Sequence, residues 1–321
     1  MYVNKIDAIF NRINTFIKHT PLEFNSRLSF KHNCTVFLKR EDQQLTRSYK
    51  IRGCLNKILN NMEQAQNNGI ICASAGNHAQ GIAYCSNQFD INSTIFLPEN
   101  TPKQKIKMIN YFGKDNIELK YVEGEFDNSL HKAINYSKDK DGLFIHPYDD
   151  YQVIDGQATI IHEIYNKLTP DYILCGVGGG GLISGISHYS KHINDICNII
   201  GVEPLGASSL IAALNHKSPI KLNNIDTFVD GAAVSKIGDI TFEIIQNYVD
   251  EVISVTNKEI AKTIIDMYEY DGIILEPAGA LSVAGLSQHN FNSDDIVVCV
   301  LSGSNNDIRR YNKYFELANI K

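Results

Sequence analysis

The stretch Tyr172-Ile-Leu-Cys-Gly-Val-Gly-Gly-Gly-Gly-Leu-Ile-Ser-Gly185 runs from a short apolar segment through a glycine tract into a helix-like pattern. An apolar run of four bounded by glycine reads as a buried strand. Glycines at such a junction let successive backbone amides curl round an anion with no Cβ in the way. Four in a row, Gly178 to Gly181, are costly in backbone entropy, so a purely structural turn is the weaker explanation. Working outward, comparable apolar runs recur at Val36-Phe-Leu38, Ile70-Ile-Cys-Ala73, Ser93-Thr-Ile-Phe-Leu97, Ile199-Ile-Gly-Val202 and Ile296-Val-Val-Cys-Val-Leu301. Between them, segments such as 152–168 and 258–270 space apolar residues by three and four, the helix period. This alternation predicts an α/β fold of open twisted sheets, largely parallel, with flanking helices on both faces. The stretch Asp139-Lys-Asp-Gly-Leu143, leading to His146-Pro-Tyr-Asp-Asp150, is the expected domain crossover.

The chain has 321 residues, enough for two domains at about 150 each. Hydrophobic residues make up 43% and charged residues 21%, ordinary proportions for a globular protein. Lys and Arg number 30 against 36 Asp and Glu, a formal charge of −6. That balance leaves no basic stripe for nucleic acid or anionic lipid. No apolar run approaches the ~18 residues of a membrane helix, and the N-terminus lacks a basic-then-apolar signal pattern. The expectation is a cytoplasmic protein with no nucleic-acid or membrane partner. Seven widely spaced cysteines without a C-x-x-C pair read as buried small hydrophobes, not as a disulfide or zinc framework. No metal site is expected.

Two further constellations carry chemistry. In Arg47-Ser-Tyr-Lys-Ile-Arg-Gly53, the apolar residues after Lys50 fall on one helix face, with Ser48 as the expected N-cap. A lysine in a first helical turn meets the positive end of the dipole, which favours the neutral amine that Schiff-base chemistry requires. In Ile70-Ile-Cys-Ala-Ser-Ala-Gly-Asn-His-Ala-Gln-Gly81, a strand breaks at small residues and restarts as a helix. The amides of Ser74, Ala75, Gly76 and Asn77 would face a cleft and suit a carboxylate. His78 is read as structural. A competing reading takes Gly176, Gly178 and Gly181 as a G-x-G-x-x-G fingerprint, with Glu203 as the ribose carboxylate of a nicotinamide-binding dehydrogenase. A third reading is a catalytically silent binding protein. One cofactor, pyridoxal 5'-phosphate, answers all three constellations: phosphate for the glycines, aldehyde for Lys50, amino-acid carboxylate for residues 74–77.

The sequence strongly resembles the threonine dehydratase (threonine/serine ammonia-lyase) family of pyridoxal-phosphate enzymes, with the tryptophan-synthase β-type fold, fold type II. The resemblance rests on Lys39-Arg-Glu-Asp42, Arg47–Gly53, Ala73–Gly81, His146–Asp150, Gly178-Gly-Gly-Gly-Leu182, Gly201-Val-Glu-Pro204, Asp230-Gly-Ala-Ala-Val234, Glu276-Pro-Ala-Gly-Ala280 and Leu301–Asp307, in family order along the chain. It is nearest to the biosynthetic members that feed isoleucine synthesis.

The resemblance implies roles. Lys50 would bond the cofactor and later remove the α-proton, Tyr49 would line the ring, and Asn77 would hydrogen-bond the 3′-oxygen. Gly178, Gly179, Gly180, Gly181 and Leu182 would bind phosphate through their amides, and Ser302 would face the pyridine nitrogen. The implied reaction converts L-threonine to 2-oxobutyrate and ammonia, and L-serine to pyruvate. Racemases of the same fold carry a second serine where this chain has Ala75, which ranks racemisation low; hydroxyaspartate or diamino-acid lyase activity stays open. Ser304 and Cys54 depart from the glycine and alanine usual at their positions, and Ser304 is expected near the ring-nitrogen site. The implied architecture is a large cofactor-binding domain from 1–42 and 148–321 and a small domain from 43–147, in a homo-oligomer. Only 19 residues follow Ser302, too few for a regulatory domain, so absence of isoleucine feedback inhibition is expected.

Overall fold

The computed structural model describes residues 2–320. Its ten strands are β1 (Leu22–Phe24), β2 (Thr35–Lys39), β3 (Ile70–Ala73), β4 (Ser93–Pro98), β5 (Ile117–Val122), β6 (Leu143–Phe144), β7 (Tyr172–Gly176), β8 (Asn198–Pro204), β9 (Glu251–Val255) and β10 (Ile296–Val300). They form a six-stranded sheet in the order β1-β2-β10-β7-β8-β9 and a four-stranded sheet in the order β5-β4-β3-β6. Only the β1–β2 pairing is antiparallel; every other neighbouring pair is parallel. Parallel neighbours require crossover connections, which the intervening helices supply.

The apolar runs singled out in the sequence fall within β2, β3, β4, β7, β8 and β10, displaced by no more than two residues at an end. Four strands carry no such run. β1 and β6 are three and two residues long. β5 and β9 are sheet edges and admit Glu118, Lys120 and Glu251. An edge strand has one neighbour, and charges on it discourage pairing with another chain.

Side chains alternate across each buried strand. Ile173 and Cys175 of β7 pack on one face of the larger sheet, with Ile160, Ile161 and Ile183 from the helices Tyr151–Tyr165 and Gly181–Ile193. Leu174 packs on the opposite face with Ile264, Leu281 and Tyr314. In the smaller sheet Ile70 and Cys72 face the helices Lys50–Asn60 and Asn77–Phe89, while Ile71 and Ala73 face the helix Phe126–Lys140. Fully burying such an aliphatic side chain stabilises the fold by roughly 1.5–3 kcal/mol. All seven cysteines are buried and unpaired, as small hydrophobes are.

A buried ionic cluster fastens the N-terminal segment to both layers. Arg52, fully buried, donates through Nε and Nη2 to Glu41 at 2.8 Å each and pairs with Glu163 at 2.8 Å. Lys39 Nζ reaches Glu163 at 2.5 Å and the Thr20 carbonyl at 2.7 Å, and the Thr20 hydroxyl donates to Glu41. Burial alone would raise the Glu41 pKa, but the Arg52 guanidinium, with Lys39 and the Thr20 hydroxyl, outweighs it and holds the carboxyl below its ordinary value. Such a group stabilises the fold fully above its unfolded pKa, and the contribution is lost as pH falls through the folded pKa. Glu41→Ala is therefore expected to destabilise the protein by about 3–5 kcal/mol at neutral pH, because a buried guanidinium loses its partner. Urea unfolding measures the difference, which should shrink on acidification; a difference unchanged by pH would contradict the assignment.

Candidate active site

The C-terminal ends of β3 and β7 open onto one cavity of about 240 Å3, where ligands of open α/β sheets collect. Lys50, Tyr49, Ser74, Ala75, Gly76, Asn77, Gly178, Gly179, Gly180, Gly181, Leu182 and Ser302 all line it, so residues drawn from four separate stretches of sequence meet at one place.

Lys50 is the first residue of the helix Lys50–Asn60. The expected N-cap is corrected here: Tyr49 occupies the N-cap position without a side-chain bond, and the buried Ser48 hydroxyl has no partner. The cause is tertiary. Residues 47–49 pair with the loop after β10, through a bridge between Ser48 and Gly303, Tyr49 N–H to the Ser302 carbonyl at 3.2 Å, and Ser304 N–H to the Arg47 carbonyl at 2.9 Å. That pairing fixes where the helix begins. Lys50 Nζ donates to the Pro147 carbonyl at 2.7 Å and lies 5.3 Å from the centre of the Tyr49 ring. Burial lowers its pKa to about 8, against the opposing pull of Cys54 and Glu276.

The glycine loop has the free donors that a phosphate needs. The amides of Gly178–Leu182 have no acceptor among the described residues, and they open the 13-residue helix Gly181–Ile193, whose N-terminus favours an anion. Gly180 adopts φ +91°, a left-handed conformation suited to glycine, and a Cβ on Gly179 would sit 2.3 Å from the Tyr148 ring. Thr241 Oγ1 holds the Gly179 carbonyl at 2.8 Å. Asp149 in turn accepts from the amides of Asp239 and Thr241, at 3.1 Å each, and caps the helix that carries Thr241. The loop is thus held from behind while its amides face the cavity. These residues fit pyridoxal phosphate: an amine of lowered basicity stands in the same cavity as a row of uncommitted amides.

At the second helix terminus the expectation of four free amides is corrected: the Ser74 amide donates to the Phe96 carbonyl at 3.0 Å and the Gly76 amide to Ser74 Oγ at 3.1 Å, which shapes the turn and leaves the Ala75 and Asn77 amides without an acceptor among the described residues. His78 is structural: its Nε2 lies 3.0 Å from the Ile145 carbonyl and its Nδ1 3.5 Å from Cys54 Sγ. Burial, with help from Lys50, lowers its pKa to about 3 and keeps it neutral. Cys54, one of the two departures, therefore satisfies a buried imidazole nitrogen. The other, Ser304, donates to the Asp42 carbonyl at 2.9 Å from the loop that carries Ser302 and does not itself line the cavity. The dehydrogenase reading loses its carboxylate. Both oxygens of the buried Glu203 accept the amides of Leu210 and Ile211, at 2.8 and 2.9 Å, and are committed to a helix start. No group of three metal-ligating side chains occurs among the described residues.

Several cavity residues carried no assigned role in the sequence reading. Glu276 accepts from Asn77 Nδ2 at 2.5 Å, and Asn305 Nδ2 donates to Asn77 Oδ1 at 2.8 Å. Lys105 and Asp230 pair across the mouth of the cavity. Gln80, almost fully buried, presents an unpartnered Oε1. Asp230 and Glu276 lay within quoted motifs, but only the fold shows what they touch.

Residues 13–303 match the family of pyridoxal-phosphate dependent enzymes. The chain is 45% identical over 313 residues to an L-threonine dehydratase biosynthetic IlvA of Staphylococcus epidermidis, covering 95% of this chain and 74% of that one. It superposes with a TM-score of 0.90 on the processed form of threonine deaminase isoform 2 from Solanum lycopersicum, at 34% identity, covering 99% of this chain and 94% of that one. Maize serine racemase gives the same TM-score at 25% identity, with 98% and 96% covered. No helix among the described residues is long and apolar enough to cross a membrane.

With its pKa lowered to about 8, Lys50 would set the pH dependence of pyridoxal-phosphate capture by the cofactor-free protein if it is the bonding amine. Only the neutral amine attacks the aldehyde, so the capture rate should rise about tenfold per pH unit below 8 and level off above it. Stopped-flow absorbance would record this; a rate independent of pH between 6 and 8 would show that another step or another amine governs capture.

Proposed function

The chain belongs to the pyridoxal-phosphate-dependent enzymes, and from that premise we propose that it is a threonine ammonia-lyase, converting L-threonine to 2-oxobutyrate and ammonia and L-serine to pyruvate and ammonia. The observation that carries the reading is the meeting of Lys50, the free amides of Gly178–Leu182 and the Ser74–Asn77 turn on one cavity. The level of identity to a biosynthetic threonine dehydratase supports the substrate class.

When bound, pyridoxal phosphate supplies an aldehyde that condenses with amines and a conjugated ring that accepts electrons from a breaking Cα–H bond. The chain supplies the rest. The amides of Gly178–Leu182 and the Gly181–Ile193 helix terminus would hold the phosphate. The unaccepted amides at the start of the Asn77–Phe89 helix would hold the substrate carboxylate, with the turn kept in shape by Ser74. Lys50 Nζ, partly neutral near physiological pH because of its burial, would take the α-proton. Ser302 brings a neutral hydroxyl, which in this structure donates to the Ala278 carbonyl at 3.2 Å. A hydroxyl cannot keep a pyridine nitrogen protonated as a carboxylate can. That restraint suits prompt loss of a β-hydroxyl over a long-lived carbanion. Ala75 places a methyl group where racemisation would need a second acid.

The segregation of strands supports two domains, one from 1–42 and 148–321 and one from 43–147. The larger sheet draws its strands from 22–39 and 172–300, and the smaller from 70–144. An amino acid is the small-molecule partner this site suits, in a cytoplasmic homo-oligomer.

The purified enzyme should show a visible absorption band that borohydride bleaches, and Lys50→Ala should remove the band and threonine-dependent 2-oxoacid formation together. A colourless wild-type protein, or 2-oxoacid production surviving in Lys50→Ala, overturns the reading. Threonine and serine differ by one methyl group, which a pocket discriminates by about 1–3 kcal/mol. Their kcat/KM values should therefore lie within roughly 10–200-fold of each other. Chiral chromatography after incubation with L-serine should detect pyruvate and no D-serine.

A further inference from the structure

Glu276 stands at the N-cap of the helix Pro277–Gly285, where a carboxylate ordinarily turns back onto its own helix's amides. It does not do so: its side chain makes no capping bond, and Pro277 follows it. The carboxylate instead crosses to the other layer and accepts from Asn77 Nδ2 at 2.5 Å. The space it occupies is kept open for it, since a Cβ on Gly303 would stand 2.1 Å from Glu276 Oε1. On the far side of Asn77, Asn305 spends both of its amide hydrogens, one on the Thr46 carbonyl at 3.0 Å and one on Asn77 Oδ1 at 2.8 Å.

These bonds run in one direction, Asn305 to Asn77 to Glu276. They fix which end of the Asn77 amide is oxygen and which is nitrogen, and they leave one Nδ2 hydrogen for the cavity that all three residues line. With Glu276 gone, only Asn305 holds the amide against its flipped form, which would present an acceptor instead of a donor.

We propose that Glu276 is a positioning residue: its carboxylate orients the Asn77 amide so that a donor faces the cavity where the cofactor ring would lie. The inference rests on the proposed role of Lys50 and Asn77 as cofactor ligands.

The charged and titratable surroundings of Glu276 fit this role. Burial raises its pKa to about 7, helped by Asp230 and opposed by the Asn77 bond and by Lys105 and Arg310. Across the cavity it acts on Lys50, raising that amine's pKa, and on Tyr49, whose phenol it pushes up. Asp230 is itself held by Lys105 and Arg310, so the Glu276 carboxylate is the acid whose charge is not already matched by a directly bonded cation.

Two variants separate orientation from charge. Glu276→Gln keeps an acceptor oxygen for Asn77 Nδ2 but removes the charge. Its affinity for pyridoxal phosphate, read by fluorescence titration of the cofactor-free protein, should stay within about threefold of wild type. Glu276→Ala removes both, and its cofactor affinity should fall about tenfold. The double variant Glu276→Ala/Asn77→Ala should be no weaker than Asn77→Ala alone, since the two residues act as one unit. A cofactor affinity in Glu276→Gln as low as in Glu276→Ala, or additive losses in the double variant, would overturn the inference and leave Glu276 a packing residue. Absence of a borohydride-sensitive band in the wild-type protein would instead remove the functional reading beneath it.

Discussion

The cleft depends on one buried guanidinium. Arg52 lies two residues after Lys50 on the same helix, and it is fully enclosed by Glu41, Glu163 and Thr159. A charge in that position is tolerable only if it is paired and its hydrogens are satisfied, and loss of one partner leaves the rest uncompensated. Glu41 follows β2, Glu163 belongs to the helix Tyr151–Tyr165, and Lys39 ends β2. The cluster therefore ties the helix that starts at Lys50 to the larger sheet and to a helix covering it. The direction in which Lys50 leaves the backbone follows from that restraint.

The other walls of the cavity are held in similar fashion, by groups that do not themselves face the ligand. Thr241 and Asp149 secure the glycine loop from behind. His78 holds the Ile145 carbonyl, and His146 Nδ1 accepts from the amides of Tyr148 and Asp149, so residues 145–149 are folded to present the Pro147 carbonyl to Lys50. In each case a polar side chain is spent on backbone groups that would otherwise lack partners. The result is a cavity whose buried amine, free amides and hydroxyl are pre-set before any ligand arrives, which is the arrangement that low-reorganisation catalysis needs.

Much of this was legible in the chain itself, for reasons that differ from residue to residue. The glycine run is legible as a tight loop because no other residue permits both φ +91° at position 180 and the approach of Tyr148 at position 179. The strands that were legible are those buried on both faces, whose apolar runs are continuous; β5 and β9 escaped because edges carry charge. Local propensity favours Ser48 as a cap, but pairing with the loop at Gly303 governs the helix start. Glu203 was weighed as a ribose ligand because it follows a strand at a suitable distance; the amides of Leu210 and Ile211 had already claimed it.

The motif order of the sequence determined the fold class, the placing of an amine at the start of a helix at Lys50 and a tight glycine loop at Gly178–Leu182. Each depends on local backbone geometry or on residue type, which are written in consecutive positions. Only the tertiary structure decided which polar groups remain free. Glu276, Asn305 and Asn77 lie far apart in sequence, yet their hydrogen bonds form one directed chain at the cavity wall. A side chain's hydrogen-bond partners depend on what the fold brings within about 3 Å of it, and no spacing along the chain encodes that.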